Sequence, residues 1–87
     1  MSNSEGLMHK VEVLEIDETS PHLIAVKDLW RANKATLGFL PDGAFNEYAS
    51  KRMILVALNP DGECVGYLLY RLSGMRVIIA HLCVRKD

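Results

Sequence analysis

Apolar and polar positions along the chain change period several times, and each change marks an element. From Lys10 to Ile16, Val11, Val13 and Ile16 interrupt charged residues in near alternation, which predicts a half-buried or edge strand. Thr19-Ser20-Pro21 then offers a hydroxyl for an N-cap and a proline for the first helical position, where a missing N–H costs nothing. Leu23, Val26, Trp30 and Leu37 follow at three-, four- and seven-residue spacings, while Lys27, Arg31 and Lys34 gather on another face. That pattern predicts a helix with a solvated basic side, ended by Gly38 as a left-handed cap.

A second, shorter helix is predicted from about Asp42 to Lys51, with Asp42 as its cap and Phe45, Tyr48 and Ala49 on one side. Beyond it the helical period disappears. Arg52 to Leu58 is almost continuously apolar, Asn59-Pro60-Asp61-Gly62 is a run of turn formers, and Glu63 to Leu72 is a further strand-like run. Ser73-Gly74-Met75-Arg76 predicts a second turn, after which Val77 to Val84 is apolar on both alternating faces except at His81. A strand of that kind expects cover on both sides. Strict alternation would place Ile78, Ala80, Leu82 and Val84 on one face and Val77, Ile79 and Cys83 on the other.

The predicted order is strand, two helices, then a three-strand antiparallel meander, an α+β domain. Met1 to residue 9 is expected to be a flexible leader, and residues 10–87 a single small domain. A chain of 87 residues buries somewhat over ~60% of its unfolded surface, enough for one thin core. With 49% apolar and 24% charged residues and a net charge of −1, the composition is that of an ordinary globular domain. No basic footprint for nucleic acid or anionic lipid exists in it. No apolar run reaches the ~20 residues needed to span a bilayer, and no signal-peptide layout opens the chain, so a cytoplasmic protein is expected. Cys64 and Cys83 lack the short pairing of a zinc or redox site and are expected to be buried free thiols; no metal is expected.

The element order, the segment Leu37-Gly38-Phe39-Leu40-Pro41-Asp42-Gly43-Ala44-Phe45 between the helices, Gly66-Tyr67-Leu68-Leu69-Tyr70, and the closing Ile79-Ala80-His81-Leu82-Cys83-Val84-Arg85-Lys86-Asp87 together resemble the first half of the GNAT superfamily of acetyl-CoA-dependent N-acetyltransferases. The resemblance covers nearly all of Lys10 to Asp87. It implies that the main chain of Leu82, Cys83 and Val84 contacts the pantetheine arm and thioester of acetyl-CoA. It also implies that Phe39, Leu40, Phe45 and Tyr67 line the substrate side. In that chemistry an amine attacks a thioester, so a proton acceptor and an oxyanion stabiliser are needed. His81 is the candidate acceptor, since imidazole exchanges protons near neutral pH. Glu63, on the adjoining strand beside a turn, is the weaker candidate.

In the family, the fourth strand leads into a Gln/Arg-x-x-Gly-x-Gly/Ala loop whose backbone N–H groups receive the cofactor's pyrophosphate. The sequence reaches Asp87 before any such loop, and its glycines are dispersed, each with a turn, cap or packing explanation. By the resemblance the chain is therefore the N-terminal portion of the domain, inactive alone, with weak or no affinity for acetyl-CoA. A non-enzymatic α+β interaction module stands as the alternative. In either case the flat apolar strand Val77 to Val84 predicts a homodimer through that strand.

Overall fold

A computed structural model describes residues 11–37 and 40–85. Its elements are β1 (Glu12–Ile16), α1 (His22–Leu37), α2 (Asp42–Ser50), β2 (Ile54–Leu58), β3 (Cys64–Ser73) and β4 (Arg76–Val84). The four strands form one antiparallel sheet in the order β1-β2-β3-β4, so the predicted meander gains β1 as a fourth strand beside β2. Sequence order and spatial order agree, and the α+β class holds. The leader, the Gly38 cap, Phe39 and the side chain of Leu37 lie outside the described residues.

Local chemistry explains where the elements start. Ser20 caps α1: its hydroxyl accepts from the His22 N–H at 3.1 Å and its carbonyl from the Leu23 N–H at 3.3 Å. Just before it, Thr19 donates to the Asp17 carboxylate through both its N–H, at 2.8 Å, and its hydroxyl, at 2.6 Å, which holds that carboxyl below its ordinary range. At α2 the N-cap position belongs to Pro41, with extended φ −62 and ψ 143 and no side-chain cap bond, one residue earlier than predicted. Arg52, predicted to open the second strand, instead takes the left-handed φ of 58 in the turn after α2, and β2 begins at Ile54. Between β2 and β3, the Asn59 side chain accepts from the Asp61 and Glu63 N–H groups at 3.0 and 2.9 Å and so closes the turn. Between β3 and β4, Ser73 pairs with Arg76 across Gly74-Met75, and the φ of 62 at Gly74 is one a side chain would resist.

Both helices cover one face of the sheet. Leu23, Val26 and Trp30 of α1 and Phe45 and Ala49 of α2 meet Ile16, Ile54, Val56, Leu58, Tyr67, Leu69 and Cys83 in one core, and α1 crosses β3 and β4. Among the described residues no helix lies on the opposite, outer face. Its cross-strand rows are Val13-Ala57-Gly66-Val84 and Glu15-Leu55-Leu68-Leu82, continued by Tyr70-Ile79 and Leu72-Val77. Double-sided cover of β4 is thus half met: Cys83 is buried, whereas Val77, Ile79, Leu82 and Val84 are exposed.

Two bulges break strict alternation. Between Leu58↔Cys64 and Ala57↔Gly66 the β3 side carries one extra residue, Val65; between Leu69↔His81 and Tyr70↔Ile79 the β4 side carries Ala80. The second bulge corrects the face assignment made from period two alone. Val77 and Ile79 share the outer face with Leu82 and Val84, while Ile78, His81 and Cys83 share the inner one. At Gly66 a Cβ would meet the Cys83 carbonyl oxygen at 3.0 Å, so the tight approach of β3 to β4 depends on a residue without a side chain.

The buried stripe of α1 makes a direct stability prediction. Trp30 is 8% exposed and in ring contact with Phe45. Trp30→Ala is expected to cost about 3–5 kcal/mol, read as a lowered denaturation midpoint or, in a domain this small, as loss of the cooperative transition. A midpoint equal to the parent's would overturn the assigned helix phase.

Candidate functional site

The candidate site lies where β3 and β4 run side by side under α1. Tyr67 and His81 are diagonal neighbours on the inner face of the sheet, a separation that aromatic side chains bridge. The Tyr67 hydroxyl and His81 Nδ1 share a hydrogen bond of 3.0 Å, with the rings 5.7 Å apart and 31° from coplanar. The tautomer sets which of the two donates. His81 Nε2 is buried and has no hydrogen-bond partner among the described residues. Such an atom normally finds a partner, water included.

Behind the pair the rings continue. Tyr67 meets Phe45 at 6.0 Å and 78°, and Phe45 meets Trp30 at 5.7 Å and 59°, so the four rings tie α1, α2, β3 and β4 together. Phe45 and Tyr67 are 0% and 2% exposed, so in this conformation neither offers surface to a substrate; Leu40 is half-buried against the same core. Burial, with the Cys83 sulfur beside it, pushes the Tyr67 phenol far above its ordinary range. Burial likewise raises both thiols, against a smaller opposing effect of the Gly66 carbonyl at Cys64. Cys64 and Cys83 are free and, held neutral, are poor nucleophiles.

The three residues assigned to the cofactor do not present the same atoms. The Arg85 N–H donates to the Val65 carbonyl at 2.7 Å, which makes 65 and 85 a hydrogen-bonded pair. In an antiparallel ladder such pairs alternate, so Cys83 and His81 also turn their backbone groups toward β3, whereas Leu82 and Val84 turn theirs away from it. Because β4 is the edge of the described sheet, no strand among the described residues receives the outward groups of Leu82 and Val84. Glu63 is tied to the β2–β3 turn: its carboxylate accepts from Asn59 Nδ2 at 2.9 Å and lies 3.8 Å from the Arg85 guanidinium. Both Tyr67 and Tyr70 are on β3, and they face opposite sides as period two predicts; the Tyr70 hydroxyl donates to the Arg52 carbonyl at 3.3 Å.

Sequence reasoning missed an open cleft of about 630 Å³ between α1 and the end of the sheet, lined by Asp28, Leu29, Asn33, Cys64 and Arg85 among others. No linear signal marks it, because its walls come from three separate elements. Among the described residues no group of three or more His, Cys, Asp or Glu is arranged to hold a metal, and no helix is long and apolar enough to cross a membrane.

The buried phenol predicts an alkaline limit to stability. A folded-state pKa above the unfolded value leaves stability intact below about pH 10, the ordinary tyrosine pKa, and removes it as pH rises further, because only the unfolded chain releases the proton. The two thiols add the same sign from about pH 8.5. Tyr67→Phe is expected to cost about 1–3 kcal/mol at neutral pH, by leaving His81 Nδ1 unpaired, and to flatten the decline in denaturation midpoint above pH 10. Equal slopes for parent and variant would contradict the burial of that hydroxyl.

The chain matches no protein-family model, no curated protein and no solved structure. What it does has therefore to be read from its own geometry.

Proposed function

We propose that the chain is the N-terminal portion of an acetyl-CoA-dependent N-acetyltransferase domain, transferring an acetyl group to an amine. The observation that carries this reading is the free β4 edge, with the main-chain groups of Leu82 and Val84 turned away from β3. An extended amide-bearing arm such as pantetheine pairs with a strand edge as another strand would, through N–H and C=O groups alone. The strand, helix, helix, strands order supports the same reading.

When bound, acetyl-CoA would supply the activated acyl carbon that an amine attacks. The chain's own contribution is to orient. Leu82 and Val84 would hold the arm along β4, while the Cys83 backbone stays engaged with β3. His81, on the same strand, would be the acceptor of the amine's proton, and the Tyr67 hydroxyl holds its ring through Nδ1. Nothing in the 87 residues matches the glycine-rich pyrophosphate loop, so the arm would be held without its most strongly bound end. Two free thiols accord with a reducing, cytoplasmic setting.

The second reading, a non-enzymatic interaction module, is favoured by one observation: the outer face of the sheet is apolar and exposed.

Titration of acetyl-CoA into the labelled chain, followed by backbone amide resonances, tests the first reading. The expected result is weak binding, with a dissociation constant well above 1 µM, and shifts centred on Leu82, Cys83 and Val84. Shifts confined to the α1 cleft, or none at millimolar ligand, would count against the cofactor assignment. Sub-micromolar affinity would instead show that no pyrophosphate loop is needed.

A further inference from the structure

We propose that the outer face of the sheet is a self-association surface, on which a second copy of this chain packs face to face about a two-fold axis. The inference goes beyond the acetyltransferase reading and rests on none of it. Val13, Leu72, Val77, Ile79, Leu82 and Val84 are each 56–64% exposed and share this face. Together they present apolar surface on the order of 600 Å², at the top of the range for the largest patch on a monomer and near the ~800 Å² per partner of a standard interface.

Shape selects the occupant. The row Val13-Ala57-Gly66-Val84 has two small residues at its centre, and they floor a groove of about 190 Å³. The neighbouring row raises Leu55, Leu68 and Leu82 beside that groove as a ridge. Ridge and groove lie on one surface, so a two-fold axis sets the ridge of each copy over the groove of the other. Two twisted sheets stacked in this way, ~10 Å apart, interdigitate their side chains as sandwich sheets do. The face is also short of charge: Glu15 stands in its β1 row, and from Val77 to Val84 the strand carries no acidic residue, lysine or arginine. Desolvation therefore costs little, and neither a polyanion nor an anionic membrane would find a counter-charge there. β1 differs, with Glu12 and Glu15 exposed along its edge in the manner of a protected strand.

Sedimentation of the 87-residue chain across the micromolar range is the test, with circular dichroism to verify folding. A concentration-dependent dimer is expected. Leu82→Lys, which puts an uncompensated charge in the contact, should raise its dissociation constant at least about tenfold. Ile24→Lys, at a still more exposed apolar position on α1 (69%, against 56% for Leu82), should leave it unchanged. Ala57→Phe separates fit from stickiness: it fills the groove and makes the face more apolar, so it should weaken a ridge-in-groove dimer. Should Leu82→Lys fail to fold, Val84→Lys gives the same reading. A monomer at every concentration overturns the proposal. So does association that Ala57→Phe strengthens, or that Ile24→Lys weakens as much as Leu82→Lys does. These readouts are independent of the acetyl-CoA titration, so either idea can fail alone.

Discussion

The contact on which the rest depends is the line of four rings through the core. Trp30, Phe45, Tyr67 and His81 come one each from α1, α2, β3 and β4, and successive centroids are 5.7, 6.0 and 5.7 Å apart. Phe45, fully buried at the centre, lets the short α2 dock against both α1 and the sheet. A nine-residue helix would be marginal by itself, so its stability comes from that docking. At the far end the line becomes polar, and the Tyr67–His81 hydrogen bond sets the orientation of the only titratable ring on the inner face of β4.

The same packing explains why the sheet is so asymmetric. Two helices suffice to cover one face of four strands, and they spend their apolar residues there. The other face keeps an apolar composition with no cover among the described residues, at the upper end of what the largest patch on a monomer reaches. The two functional proposals draw on different parts of the sheet. The cofactor reading uses the free edge of β4, and the association reading uses the face beside it. Edge and face are adjacent but distinct, since backbone groups point along the sheet and side chains perpendicular to it.

How much of this was legible in the sequence varies with the range of the interaction. Periodicity and turn chemistry are local, and they located every element, with boundaries displaced by a residue or two at Pro41, Arg52 and Cys64. Trp30 on the buried side of α1, the opposed faces of Tyr67 and Tyr70, and the two unpaired thiols follow from the same local rules. His81 stood out in the sequence as the one polar side chain in an apolar strand, but its partner could not be read off the chain, because Tyr67 is fourteen residues away.

By itself, then, the sequence determined the class of fold, the order of its elements and the residues able to form a core, since each rests on a period or a turn spanning a few residues. Tertiary structure alone decided which face each β4 side chain occupies. Ala80 is an ordinary strand residue until the register with β3 makes it a bulge, and that register joins Val77 and Ile79 to Leu82 and Val84 on one surface. It also decided that Leu82 and Val84, rather than Cys83, turn their backbone toward the open edge. A backbone group is free or engaged according to what lies beside it, and pairing between strands is a property no single stretch of residues carries.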